Sequence, residues 1–177
     1  MSSLTNEPTI VTNKDPSNHP IDLNSIDIST VKNFTFDGII TDCKVIDVID
    51  GDTIKIMLLF NDKPTLLNIR MFGYDAPSIK SKKSSQKTST NGKRARQMLI
   101  NLVTDCGDKI NENTRSKDIT KIIRTENKKI VKIHLMDFDK YDEIFAKIYL
   151  ADQNKFVDEI MLESNLVYTY KQDLDSA

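Results

Sequence analysis

Two short segments of the chain carry side chains that could together bind a metal-bound phosphate. The first reads Val48-Ile49-Asp50-Gly51-Asp52-Thr53-Ile54-Lys55-Ile56, and the second reads Ile69-Arg70-Met71-Phe72-Gly73-Tyr74-Asp75-Ala76-Pro77. The carboxylates of Asp52 and Asp75 supply oxygen atoms that can hold a metal ion. Arg70 adds a guanidinium, which suits phosphate. The residue types therefore indicate phosphodiester binding or cleavage.

Two turns must bring these side chains together. Asp50-Gly51 lies between two β-branched runs, which predicts a tight hairpin in which Gly51 takes a positive φ. Asp52 then lies at the start of the return strand. A second turn around Asn61 to Pro64 leads into a strand over Leu66 to Phe72, so that one curled sheet could place Asp52, Arg70 and Asp75 in the same pocket.

The same residues resemble the staphylococcal nuclease-like, or thermonuclease, family. Its signature is a hairpin Asp-Gly-Asp-Thr, followed by an Arg that lies five residues before an Asp-X-Pro. Further matches follow in the family's order: Asp139-Lys140-Tyr141, then Phe156-Val157-Asp158-Glu159-Ile160-Met161-Leu162 in the place of the last main helix, and Val167-Tyr168-Thr169-Tyr170. The resemblance covers residues 41–171 and implies an α+β fold, an OB-fold five-stranded β-barrel with helices packed around it.

The resemblance also implies a set of ligand-binding residues. Asp52, Asp75 and the backbone carbonyl of Ala76 would hold Ca²⁺, and Arg70 would contact phosphate. Lys140, Tyr141, Tyr168 and Tyr170 would hold the terminal phosphate of a nucleotide and flank its base, because aromatic faces stack on bases. The alternative is that Asp52 and Asp75 only support turns and that the tyrosines pack against the end of the helix.

Two catalytic positions of the family hold other residues here. Ser78 stands where the family has a Glu that acts on the attacking water, and Glu143 stands where it has a second Arg. A positioned base contributes roughly 10²- to 10⁴-fold to a rate, and a charge donor at the transition state roughly 10²- to 10³-fold. The substitutions therefore predict weak or no catalysis.

Replacement groups for these two positions are scarce nearby. No Asp or Glu occurs in residues 76–104, so a shifted carboxylate would have to come from a distant loop. Arg115 or Arg124 could take the place of the missing guanidinium.

The chain divides into segments of different character. Residues 1–33 predict a disordered polar tail, 34–171 the barrel domain, and 172–177 a C-terminal tail. Within the domain we expect a basic loop at 78–93, a helix with the apolar residues Ala95, Met98, Leu99, Leu102 and Val103 on one face, and a polar insertion at 107–129. Asn165 should end the last helix in the left-handed conformation.

Composition limits the classes of partner. A net charge of -1 over 177 residues gives no global attraction to nucleic acid. Local attraction could come from the basic arm Lys80, Lys82, Lys83, Lys87, Lys93, Arg94 and Arg96, although a solvated loop would have the same composition. Two cysteines form neither a metal motif nor a disulfide framework.

The remaining sequence features concern location and origin. The N-terminal residues lack the apolar segment of a secretory signal, and the longest apolar run, Ile56 to Phe60, is too short to span a membrane. We therefore expect an intracellular protein without a membrane partner. We also expect a monomer. The abundance of Ile, Lys and Asn is typical of an A+T-rich genome, such as that of a parasite or a large DNA virus.

Three classes of function fit the sequence. The first is a degenerate nuclease fold that binds single-stranded DNA, RNA or nucleotides, and the second is an active calcium-dependent endonuclease with rearranged catalytic groups. The third is a protein-interaction scaffold. Binding that weakens with salt would favour the first class, and cleavage that a chelator abolishes would identify the second.

Overall fold

The computed structural model describes residues 21–79, 86–139 and 143–169. The chain divides into two units, which meet in sequence between Phe34 and Thr35. Lys140, Tyr141 and Tyr170, which belong to the predicted nucleotide site, and the C-terminal tail lie outside the described residues.

The N-terminal unit contains a tandem repeat that the sequence analysis did not detect. Ile-Asp-Leu-Asn-Ser at 21–25 is followed by Ile-Asp-Ile-Ser-Thr at 26–30, and each copy forms one short 3₁₀ turn, Leu23–Ser25 and Ile28–Thr30. Asp22 and Asp27 cap the turns by accepting hydrogen bonds from backbone N–H groups two residues later, each at 3.0 Å. Two capped turns therefore lie within residues 21–30 of the segment that the sequence predicts as a disordered polar tail.

The second unit is a closed five-stranded β-barrel with three α-helices, an α+β architecture of the OB-like type. Its main strands are β1 (Ile40–Val48), β2 (Thr53–Phe60), β3 (Lys63–Met71), β5 (Val131–Phe138) and β6 (Ile144–Leu150). The order is β3-β2-β1-β5-β6, and a parallel pairing of β3 with β6 closes the barrel. Short strands are β4 (Tyr74–Asp75), β7 (Lys155–Phe156) and β8 (Tyr168–Thr169), and the helices are α1 (Gln86–Val103), α2 (Ser116–Glu126) and α3 (Val157–Glu163).

Alternation of apolar and polar residues builds the barrel wall. Ile54, Ile56 and Leu58 of β2 point inward and are buried, whereas the alternate residues Met57 and Leu59 are exposed. The β2–β3 hairpin turns at Asn61 and Asp62, both with positive φ, as a two-residue turn between strands requires. Asn165 has φ 58° after α3, which confirms the predicted terminator.

The helices correct two predicted segment boundaries. α1 begins at Gln86, so residues 86–93 of the predicted basic loop are helical. The predicted polar insertion contains α2, which buries Ile119 and Ile123. With Ile122, these residues follow the i, i+3, i+4 spacing of an apolar helix face, a signal that the surrounding charged residues obscured. No helix of the described residues is long and apolar enough to cross a membrane.

Candidate phosphate and metal site

The candidate site lies at one end of the barrel, where the β1–β2 turn meets the ends of β3 and β6. Thr53, the first residue of β2, pairs with Arg70 of β3, and the backbone N–H of Met71 donates to the carbonyl of Asp52 at 2.7 Å. On its other side Arg70 pairs with Phe145 of β6. The ladder thus places Asp52 and Arg70 side by side, as the sequence analysis expected of the curled sheet.

Gly51 is needed here for a reason other than the predicted one. Among the described glycines only Gly38 and Gly73 have a positive φ, so the prediction of a positive φ at Gly51 was wrong. A Cβ on Gly51 would instead lie 2.7 Å from the Cβ of Ala95 and 2.8 Å from that of Ala76. Glycine therefore allows α1 and the segment after β4 to approach the turn closely.

Tyr74 of β4 supports the same turn. Its side chain is fully buried, and its hydroxyl donates to the carbonyl of Gly51 at 3.1 Å. Burial, with smaller contributions from the negative charges of Asp52 and Asp158, raises the pKa of Tyr74 well above its ordinary value. The hydroxyl therefore keeps its proton and remains a donor to the turn.

Asp52 is buried and held by two hydrogen bonds. Its Oδ1 accepts from the hydroxyl of Thr53 at 2.8 Å, and its Oδ2 accepts from the backbone N–H of Ala76 at 2.7 Å. The second bond ties the β1–β2 turn to the segment after β4, so the carboxylate of Asp52 and the backbone of Ala76 occupy one pocket. These contacts fix the orientation of the Asp52 side chain.

Arg70 lies among three carboxylates. It donates a short hydrogen bond to Asp75, and its guanidinium lies 3.7 Å from Asp52 and 3.6 Å from Glu143. Burial lowers the pKa of Arg70, but the hydrogen bond with Asp75 and the charges of the three carboxylates outweigh it and raise the pKa above its ordinary value. We call Asp52, Arg70, Asp75 and Glu143 the Arg70 cluster; its formal charge is two negative units.

The donor chemistry of the cluster suits a hard divalent cation. Asp52 and Asp75 contact the same guanidinium and therefore face one pocket, and calcium accepts carboxylate, carbonyl and water oxygens together. A divalent cation would also balance the two excess negative charges. Within the described residues no group of three or more His, Cys, Asp or Glu side chains is arranged to hold a metal, so two carboxylates would need backbone carbonyls or water to complete the coordination.

A cavity of about 270 Å³ opens beside the cluster. It is lined by Arg70, Glu143, Thr53 and Asn68, with Leu66, Leu67, Ile69 and Ile144 as its apolar part. The cavity lies between β3 and the pair Glu143 and Ile144 at the start of β6. OB folds bind oligonucleotides on the face of their second and third strands and on the loops between strands 1 and 2 and between strands 4 and 5. The cavity lies along β2 and β3, and Asp52 of the cluster lies in the turn between β1 and β2.

Other predicted ligand residues have different surroundings. Tyr168 of β8 pairs with Asp75 of β4 and is 60% exposed. Its ring is therefore an exposed group on β8, the strand that pairs with Asp75 of the cluster. Ser78 is exposed beyond β4. Arg115, at the start of α2, pairs with Asp118 at 2.7 Å.

Arg96, the last residue of the predicted basic arm, is buried. The Arg96 side chain is 3% exposed and donates to the hydroxyl of Ser116 at 3.0 Å, so it is not available to nucleic acid. Burial lowers its pKa, and the nearby charges of Asp50 and Asp47 oppose that change. Arg94 lies 3.5 Å from Glu112, and Lys80, Lys82 and Lys83 lie outside the described residues.

The sequence analysis also missed the hydrogen bonds that hold β1, the strand before the β1–β2 turn. Thr120 of α2 donates to Asp47 of β1 at 3.0 Å, and the amide of Asn127 donates to the carbonyl of Val45 at 2.8 Å. These two bonds attach α2 and the residue after it to the strand that leads into the β1–β2 turn, and the bond from Arg96 to Ser116 joins α1 to α2. The polar side chains that looked like a solvated insertion are therefore internal hydrogen-bonding partners.

Comparisons with known proteins add no relatives to this description. No model of a known protein family matches the sequence, and no curated protein matches it at a significant level.

Proposed function

We propose that this chain is a staphylococcal nuclease-like barrel that binds single-stranded nucleic acid or nucleotide phosphates, with weak or no phosphodiester hydrolysis. The observation that carries the proposal is the position of the Arg70 cluster, at the end of an OB-like barrel and beside the exposed ring of Tyr168. A guanidinium, two carboxylates and an aromatic ring in this place provide the contacts that a phosphate, a cation and a base each need.

The charge of the cluster makes phosphate binding depend on a cation. Three carboxylates surround one guanidinium, so a phosphate that approaches Arg70 meets a negative field. Calcium held by Asp52, Asp75 and the Ala76 carbonyl would remove this repulsion and provide a positive charge for phosphate oxygens. Arg70 would then contact the phosphate, and Tyr168 would stack on a base. Lys140, Tyr141 and Tyr170 are further candidates for nucleotide contact by the family resemblance.

The surroundings of Arg70 support binding without efficient cleavage. Glu143 contributes a negative charge 3.6 Å from the guanidinium, where the transition state of phosphodiester hydrolysis would add more negative charge. Ser78, at the position of the family's base, has a hydroxyl that does not accept a proton from water near neutral pH. Each difference alone opposes the reaction.

The test measures binding and hydrolysis in the same samples. Purified full chain would be mixed with single-stranded DNA or RNA in millimolar calcium, in chelator, and as the Asp52→Ala variant, with Asp152→Ala, an exposed turn residue, as the control. We expect calcium-dependent binding that Asp52→Ala weakens and Asp152→Ala leaves unchanged, with little product.

Two outcomes would contradict the proposal. Chelator-sensitive cleavage that Asp52→Ala abolishes would identify an active calcium-dependent endonuclease with rearranged groups. Neither binding nor cleavage would indicate a protein-interaction scaffold.

A further inference from the structure

The outer face of the barrel carries an apolar patch away from the Arg70 cluster. In the β2–β3 hairpin, Met57 pairs with Leu66 and Leu59 pairs with Pro64. Residues paired directly across two strands share one face of the sheet, so these four side chains form one surface. Leu59 is 66% exposed and Leu66 is 54% exposed. Large apolar side chains grouped in this way mark interaction surfaces more often than single exposed ones.

A concave part of the surface lies beside the hairpin. A cavity of about 240 Å³ has Met57, Leu59 and Pro64 on one side and Ile130, which is 56% exposed, among its other lining residues. We call Met57, Leu59, Pro64 and Ile130 the outer-face patch; Leu66 is left out of it because Leu66 also lines the cavity beside the Arg70 cluster. Leu59 lies six residues from Thr53 along β2, which corresponds to about 20 Å of extended strand, so the patch is separate from the candidate site.

The charges in the patch are of both signs and closely spaced. Asp42 and Lys44 of β1 both line the cavity, and residues two apart on a strand point to the same face. A surface whose charges were all of one sign would favour a partner whose charges are of the opposite sign. Asp42 pairs with Lys132 of its own chain at 3.0 Å, yet its side chain is 67% exposed, so its carboxylate can still meet a basic group of a partner. With Lys44 beside the same apolar centre, these groups favour a partner that presents an acidic and a basic group in reverse order.

We propose that the outer-face patch is a two-fold symmetric interface between two copies of this chain. A two-fold axis that lies in the plane of the interface, outside the sheet, perpendicular to the direction of β1 and level with Cys43, sets the two β1 strands antiparallel across the interface. Asp42 of each copy then faces Lys44 of the other, while the apolar side chains of the two copies cover each other. Such an interface is self-complementary, as closed dimers require. It differs from the monomer that the sequence analysis expected.

The first experiment measures mass against concentration for the full chain by sedimentation equilibrium, from micromolar to submillimolar protein. We expect a monomer–dimer equilibrium that Leu59→Lys and Ile130→Lys each weaken by at least about tenfold. Circular dichroism shows whether each variant is folded, and the second variant serves if the first is not. Lys121→Asp on the exposed face of α2 is the control and should leave the dissociation constant unchanged.

Charge reversal tests the arrangement of the two copies. Asp42→Lys and Lys44→Asp should each weaken the dimer, and the double variant should restore the dissociation constant to within about threefold of the wild-type value. Because Asp42 also bonds Lys132 within its own chain at 3.0 Å, Lys132→Met measures the loss of that pair alone. A wild-type chain that stays monomeric at every concentration would overturn the proposal, as would a dimer unaffected by the patch variants.

Discussion

The close contact at Gly51 allows a quantitative test of how the Asp52 turn is built. In Gly51→Ala the added methyl group would lie 2.7 Å from the Cβ of Ala95 and 2.8 Å from that of Ala76. Non-bonded carbons normally lie about 3.5–4.0 Å apart, so both neighbours would have to move by about 1 Å. The backbone at Gly51 has no positive φ, and the effect would therefore be steric.

The expected size follows from two losses. Overpacking of a well-packed region costs about 1–3 kcal/mol, and movement of the turn would weaken the hydrogen bond from Tyr74 to the Gly51 carbonyl, which contributes about 1 kcal/mol. We expect the free energy of unfolding to fall by about 2–4 kcal/mol. For a chain of this length the Tm would fall by roughly 5–15 °C.

Urea denaturation followed by circular dichroism measures this loss, with two companion variants. Gly38→Ala is the control, since Gly38 has φ 80° but a Cβ there would meet nothing within 4 Å, and it should cost about 1 kcal/mol. Ala95→Gly removes the closest carbon but places a glycine inside α1, so the double variant Gly51→Ala/Ala95→Gly should cost at least about 1 kcal/mol less than the sum of the two single variants. A Gly51→Ala variant within about 0.5 kcal/mol of the wild type would refute the close approach of α1.

Three further predictions concern charges and thiols. Glu143→Gln should tighten binding of single-stranded DNA about 3- to 10-fold. The Glu143 carboxylate lies 3.6 Å from Arg70, and its side chain is 46% exposed, so its negative charge opposes phosphate binding by about 0.7–1.4 kcal/mol. Fluorescence anisotropy checks this, with Glu163→Gln as the control, and an unchanged affinity would contradict it. Lys147→Met should lower the free energy of unfolding by about 1–3 kcal/mol, since the partner of Lys147 at 2.9 Å is the largely buried Asp158. Lys155→Met, which breaks an exposed pair with Glu163, should lower it by less than Lys147→Met does. Burial raises the pKa of Cys43 to about 12, so the native state keeps a proton that the unfolded state releases near pH 8.5. The contribution of Cys43 to stability is therefore complete below about pH 8.5 and decreases by about 1.4 kcal/mol per unit above it. Denaturation at several alkaline pH values, with Cys43→Ser for comparison, measures the slope, and equal slopes would contradict the assignment.

Local patterns predicted the barrel strands because each signal lies within a few residues. The alternation around Ile54 and Ile56 and the turn at Asn61 depend only on near neighbours, and the structure places them as expected. Asn165 likewise follows from the geometry of a helix end. The same local signals were present in α2 and in the repeat at 21–30, but charged and polar neighbours made both look irregular.

Contacts between distant segments could not be predicted in this way. Gly51 resembled a turn glycine, yet its requirement comes from Ala95 and Ala76, which reach it only after the chain has folded. Arg96 looked like part of a basic arm because the sequence shows its charge but not its burial beside Ser116. The positions of Lys140, Tyr141 and Tyr170 stay predictions.

The environment of Arg70 shows why residue identity alone does not determine what a site binds. The sequence identified Glu143 as a substitution, but only the closure of β3 on β6 brings its carboxylate to 3.6 Å from Arg70, 73 positions earlier in the chain. With Asp52 and Asp75 already paired to the guanidinium, this third carboxylate leaves Arg70 without the net positive field that an anion receptor needs. A phosphate could bind there only after a cation has offset the excess charge. The same arrangement that keeps Arg70 protonated therefore makes calcium, rather than the guanidinium, the main source of attraction for phosphate in the proposed function.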